Sequence, residues 1–313
     1  MGKISSFTRD SSAQMSFYVL LKKRSGIALS MFDDYWRNVH GPVCARLPGQ
    51  HQYWQFHLAH NDGGFWQQVE GVDYACSEDD QFDGIAELTF TSERERDAWF
   101  SSAAILMSDE HNIFSRAIGY ISAAGNSTTY RDQNRDGAPN GTGGSPWFQV
   151  LIQKSDNVST VAFRDFISKR YVPAVLDSSL VSKLRVHLLE GHDNSEDLPP
   201  APGVDHFESP DRQYQAAIEI AFNDNMGMES YFASDEYKAS LENQADYIKR
   251  VNPFPVRDTY TFVYDGRMTL SGQRGSSTAS LISNIGALNQ LNDDVSHLID
   301  SGMIYRQENK IGA

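Results

Sequence analysis

Residues 85–102, IAELTFTSERERDAWFSS, can be laid on residues 217–234, AIEIAFNDNMGMESYFAS, without a gap, so the chain repeats itself. Glu87 meets Glu219, Phe90 meets Phe222, Trp99 meets Tyr231 and Phe100 meets Phe232. Earlier in each half, Phe17-Tyr18-Val19-Leu20-Leu21 meets Phe148-Gln149-Val150-Leu151-Ile152, Phe32 meets Phe163, Asp34 meets Asp165 and Pro42 meets Pro173. A third segment sets Trp54-Gln55-Phe56-His57-Leu58 on Leu184-Arg185-Val186-His187-Leu188. Three segments in the same order point to a duplicated unit, and that decides what else can be built.

Each copy reads strand, helix, strand, strand, helix, strand. In the first, 16–23 is aromatic and β-branched, as strands are. Phe32, Tyr35, Trp36 and Val39 recur at helical spacing over 28–46, and His40-Gly41-Pro42 is expected to bend or end that helix. Strands at 52–60 and 85–91, a helix over 93–115 and a strand at 117–124 follow. The second copy repeats them at 147–154, 160–176, 182–189, 215–222, 226–249 and 258–265. The order βαββαβ is ferredoxin-like.

Such a unit covers one sheet face with its helices and leaves the other bare. The fold class expected is therefore α+β: two tandem ferredoxin-like domains packed sheet to sheet as an intramolecular α/β barrel, with a C-terminal helix and a pocket between the sheets. The boundaries are a tail at 1–14, repeats at 15–130 and 147–271, a Gly/Asn/Asp-rich linker at 131–146 and a helical extension at 272–313. Excursions at 61–84 and 190–213 are too long for hairpin loops and read as lids or packing layers. Leu281, Ile285, Leu288, Leu291, Val295 and Leu298 predict one amphipathic helix over 277–303, either docked on the protein itself or clasping a second subunit as a homodimer.

A formal net charge of −14, with no basic stripe, excludes nucleic acid. No apolar run approaches the ~20 residues of a membrane span, and the N-terminus lacks a signal-peptide core. Two cysteines, Cys44 and Cys76, make no disulfide framework and fit a cytoplasmic setting. Asp132-Gln133-Asn134-Arg135-Asp136-Gly137 imitates the start of a calcium loop but has Gly143 where the closing Glu belongs, so no metal is expected there. There is no phosphate loop, no Gly-x-Ser-x-Gly elbow and no Cys/His cluster.

Phe32-Asp33-Asp34-Tyr35-Trp36-Arg37-Asn38-Val39-His40-Gly41-Pro42-Val43, followed by Leu47-Pro48-Gly49, resembles the signature of the EthD-like family, and Asp83-Gly84-Ile85-Ala86-Glu87-Leu88 resembles its third-strand entry. The resemblance implies a dimeric α/β-barrel fold and enzymes that act without a metal on small aromatic or polyketide-like compounds. The second half departs from the signature, with Tyr171-Val172-Pro173 in place of His40-Gly41-Pro42, and is expected to be a degenerate copy.

Strand alternation sorts the chemistry-bearing side chains. Trp54, Phe56 and Leu58 are expected to face the helices, so Tyr53, Gln55 and His57 face the open side, where, if the second and third strands pair, His57 would meet Glu87 as an acid/base pair. His40 would transfer a proton at the pocket mouth. The catalytic set expected is His40, His57 and Glu87; Tyr35, Trp36, Tyr53, Trp54, Tyr171, His187 and Glu219 would contact substrate. The function expected is a cofactor-independent lyase (decarboxylase or dehydratase) or isomerase/cyclase on a hydrophobic or aromatic small molecule. Alternatives are a haem-dependent or cofactor-free oxygenase, and a non-catalytic binding protein for a hydrophobic intermediate.

Overall fold

A computed structural model describes residues 13, 15–133, 138–193 and 201–301. Its strands are β1 (Met15–Lys23), β2 (Gln52–Leu58), β3 (Asp73–Tyr74), β4 (Gly84–Phe90), β5 (Phe114–Ser122), β6 (Ser127–Asp132), β7 (Asn140–Gly141), β8 (Trp147–Lys154), β9 (Val181–Leu188), β10 (Glu190–Gly191), β11 (Ala216–Phe222), β12 (Ile248–Tyr264) and β13 (Arg267–Met268). They form one sheet in the order β10-β5-β1-β4-β2-β12-β8-β11-β9-β6, with β3, β7 and β13 paired to β12. The fold is mixed α+β.

The strand order β5-β1-β4-β2 recurs as β12-β8-β11-β9. The seam between the two runs is β12, seventeen residues long. Its first part pairs with β8 and its second part with β2. Likewise β6, which follows β5, pairs with β9. Each run thus sends its last strand across to the other.

The interior between the runs is lined by apolar side chains. Tyr18, Leu20, Trp54, Phe56 and Ile85 pack there against Trp147, Leu151, Ala217 and Phe254. On the outer faces two further cores lie under helices, one around Phe17, Phe32, Trp36 and Trp99, the other around Phe148, Phe163, Tyr171 and Tyr231. The inner face is apolar because both of its walls are strand surface.

The helices start on short polar side chains: Ser92 Oγ accepts from Glu95 N, Ser159 Oγ from Ala162 N and Asp224 from Gly227 N. The helix expected over 93–115 is two, Glu93–Ser102 and Ala104–Glu110, and that over 226–249 is Asn225–Ala233, Asp235–Leu241 and Gln244–Tyr247. The C-terminal helix is also broken, into Leu270–Arg274, Ser276–Asn284, a 3-10 turn at Leu288–Leu291 and Asp293–Ser301. Gly275 and Gly286, with φ of +80° and +66°, break its periodicity, and Leu281, Ile285 and Leu288 are exposed. Its remainder beyond 301 lies outside the described residues.

The excursions serve the opposite halves. Trp66, with Val72 and Tyr74, packs in the second-half core, while Ala201 and Val204 pack in the first-half core. The stretch expected as linker holds the end of β6 and all of β7. The calcium-like segment 134–137 lies outside the described residues, and Asp132 Oδ2 sits 3.3 Å from Lys183 Nζ.

Candidate functional site

The helix carrying the first-half signature does not end at His40. Helix Leu29–Tyr35 passes into a π segment, Trp36–His40, and on into Gly41–Cys44, with His40 at φ −64° and ψ −45°. The Gly41 N–H bonds to the Trp36 carbonyl, five residues back. Pro42 has no N–H to give the usual carbonyl, and the widened turn relieves its clash with the preceding one. A Cβ at Gly41 would stand 2.6 Å from the Phe262 ring, so glycine lets this turn lie on β12. The second half has the same device, Ile167–Tyr171 running into Val172–Asp177.

The π segment delivers Trp36 and His40 to the sheet. Gly84 has no side chain where Trp36 rests, and a Cβ there would collide with its ring. His40 Nδ1 donates to Asp109 Oδ2 at 2.8 Å, and Tyr35 Oη donates to Asp109 Oδ1 at 2.6 Å. Burial pushes the Asp109 carboxyl up, but hydrogen bonds from His40, Tyr35 and Asn112 outweigh it and hold the group at about 2. His40 therefore keeps a permanent carboxylate on one ring nitrogen. That fixes its tautomer and leaves Nε2 for a ligand.

Trp36, His40, Cys44, Tyr53, Trp99, Leu106 and Glu110 are among the side chains lining a cavity of about 40 Å³ between the helices and the outer face of β1, β4 and β5. The lining is mostly apolar. Burial, then the Asp109 charge, raises the Glu110 carboxyl to about 8. Burial also raises the Cys44 thiol and, well above its usual range, the Tyr53 hydroxyl. At neutral pH the cavity thus holds a protonated acid beside a carboxylate-supported imidazole.

The structure corrects the facing of β2. Trp54 lies opposite Glu87 and His57 opposite Gly84, so Trp54, Phe56 and Glu87 point into the interior between the runs. His57 points the other way, beneath the helix. Its Nδ1 donates to Asp33 Oδ1 at 2.7 Å, its Nε2 lies 3.3 Å from Gln55 Oε1, and its ring stacks on Trp36 at 4.5 Å. Arg257 forks onto both Asp33 oxygens at 3.0 Å. Burial lowers the His57 pKa despite Asp33. The expected His57–Glu87 pair does not form, because aromatic residues occupy both faces of β2 and hydropathy could not tell which face met the helices.

Glu87 instead binds Arg185 Nη2 at 2.8 Å, with His187 Nε2 3.7 Å from the same oxygen and both partners of the ion pair fully buried. His187 Nδ1 is 2.9 Å from Ser127 Oγ, and Glu219 meets Lys183 Nζ at 3.1 Å. Since Glu219 lies opposite Arg185 while Glu87 lies opposite Trp54, Arg185 is the structural counterpart of Trp54. The gapless match of the third segment is thus one residue out of step. That slip reverses faces, so His187 and His57 are not equivalents.

Of the residues expected at a site, Trp36, His40 and Tyr53 come together at the cavity, and Tyr35 supports it through Asp109. Trp54, Glu87, His187 and Glu219 belong to the interior, and Tyr171 to the second-half core. Asp109 and Glu110 were missed. The run Ser108-Asp109-Glu110-His111 at a helix end was their only signal.

The cavity's volume of about 40 Å³ is far below the ~300 Å³ at which ligand pockets begin, so any larger group, haem or substrate, needs its lining side chains to move. Among the described residues no cluster of His, Cys, Asp and Glu is arranged for a metal ion, and no helix is long and apolar enough to cross a membrane.

Residues 24–117 match the EthD domain. No curated protein matches the chain. Among solved structures, a candidate monooxygenase from Fusobacterium nucleatum is 8% identical with a TM-score of 0.47, over 83% of this chain and 98% of that one. An anthrone oxidase-like protein is 7% identical with a TM-score of 0.48, over 80% and 94%. A dye-decolorizing peroxidase from Bacteroides thetaiotaomicron is 8% identical with a TM-score of 0.42, over 79% and 93%.

Proposed function

We propose, from the match of residues 24–117 to the EthD domain and the geometry above, that the chain is a small-molecule enzyme whose acid/base site is the first-half cavity. The observation that carries the reading is the Tyr35–Asp109–His40 chain of hydrogen bonds ending at an apolar cavity. A histidine so held presents Nε2 as a proton acceptor, with the Asp109 carboxylate on its Nδ1. Trp36 and Tyr53 form aromatic walls suited to a hydrophobic or aromatic substrate. The cavity is small, so a substrate requires its lining side chains to turn aside, which the unbranched Met107 does readily.

We read the second half as a copy that has lost this site and now braces the first. Tyr171 ends its π segment where His40 ends the other, and lies in a packed core.

Proton transfer without a cofactor fits lyase or isomerase chemistry. The test is a panel of aromatic and polyketide-like compounds, with products followed by mass spectrometry and oxygen followed by electrode. Expected are isomers, or products lighter by water or carbon dioxide, with no oxygen uptake, and a loss of about 100-fold or more in His40→Ala. Oxygen uptake with an oxygenated product would replace this reading by an oxygenase that uses His40 to form the reactive substrate anion. Binding without turnover would replace it by a carrier.

A further inference from the structure

Two buried polar groups of the cavity are left unused by the protein. Trp99 Nε1, with only the weak acceptor Cys44 thiol beside it, and Glu110 Oε2, with His206 Nε2 3.6 Å away, make no close hydrogen bond, though both side chains line the cavity and are 4% and 7% exposed. Buried polar atoms are nearly always paired, so an unpaired couple in one cavity needs a reason. The indole can only donate. The Glu110 carboxyl, held protonated at neutral pH by burial and by Asp109, is a donor too. Two neutral donors in an apolar chamber suit a neutral acceptor oxygen, and the base beside them suits an acidic C–H next to it.

We propose that the cavity recognises a carbonyl oxygen, through Glu110 and Trp99 Nε1, and enolises the compound that bears it, with His40 Nε2 taking the proton from the adjacent carbon. The proposal rests on the reading of His40 given above. In the step the C–H bond breaks and its electron pair becomes the C=C bond of the enol. The carbonyl π pair moves onto oxygen, which takes the Glu110 proton, while His40 becomes imidazolium beside Asp109. Return of one proton to carbon and one to Glu110 closes the cycle with no change of oxidation state. Donors aimed at the oxygen where charge develops are the stronger part of such a site.

The second half contributes to the acid. His206 Nε2 lies 3.6 Å from Glu110 Oε2, and Ala201 and Val204 of the same loop close the surrounding core. His206 is a positioning residue here. The titratable groups around Glu110 are Asp109, His40, Cys44, Tyr53 and His206, and the charges near His206 include Asp193 and Asp205.

The test needs no native substrate. Exchange of the α-protons of cyclopentanone and of 2-indanone for deuterium is followed by NMR near neutral pH, and the Trp99 indole N–H resonance is followed on adding 2-indanone or the hydrocarbon indane. Expected is exchange about 100-fold or more above buffer, abolished in His40→Gln and reduced about 10- to 100-fold in Glu110→Gln and in Trp99→Phe. The indole resonance should move with 2-indanone and not with indane. If it moves so but no exchange occurs, His40 is not the base and enolisation is overturned with the acid/base reading. If indane and 2-indanone act alike, or if Glu110→Gln and Trp99→Phe exchange as fast as the unaltered protein, carbonyl recognition is overturned while the His40 reading stands.

Discussion

His57 donates from Nδ1 to Asp33 Oδ1 at 2.7 Å while the face of its ring stacks on Trp36, centroids 4.5 Å apart. The pair joins the sheet to the signature helix and sets the plane of an indole that walls the cavity. His57 is therefore a brace for the site, fully enclosed by Asp33, Gln55, Trp36 and Tyr260.

His57→Ala should lower unfolding free energy by about 2–4 kcal/mol, since it empties a buried volume and strands the Asp33 carboxylate with only Arg257. Urea unfolding measures this. A variant as stable as the original protein would show that the stack and hydrogen bond contribute nothing.

Arg185→Met takes the guanidinium from the buried Glu87 carboxylate and should cost about 3–5 kcal/mol. Pairing it with Glu87→Leu should recover most of the loss, because both side chains are fully buried and their desolvation is removed together. A double-mutant cycle reads the coupling.

Asp109 and Glu110, neighbours in sequence, should give opposite pH dependences. Asp109 is held at about 2, below the unfolded value near ~4. Its contribution is complete above pH ~4 and is lost as pH falls toward 2. Asp109→Asn should flatten the acid limb of the stability profile.

Glu110 lies at about 8, above its unfolded value of about 4.3. Between these values the unfolded chain releases a proton that the folded chain keeps, so stability falls as pH rises, with a slope of up to about 1.4 kcal/mol per pH unit. Glu110→Gln should remove that slope and make the protein more stable at pH 8. Thermal melts from pH 5 to 8.5 test it, and an unchanged slope would place the titration elsewhere.

The order of strands and helices was legible in the sequence because local pattern dictates it: alternation and helical spacing. That each excursion packs on the opposite half was not, since nothing in residues 61–84 or 190–213 says which core Trp66 or Val204 will enter.

The sequence by itself determined the His40-Gly41-Pro42 turn of the first half and the Tyr171-Val172-Pro173 that stands in its place in the second. Only the tertiary structure decided which face of β2 turned inward, and so separated His57 from Glu87, and it brought His40, held by Asp109, to one chamber with Glu110. The reason is physical. A strand with aromatic residues on both faces carries no local preference between two buried sides, and the partner surfaces that settle the matter, the helix bearing Trp36 on one side and β8, β9 and β11 on the other, lie far along the chain.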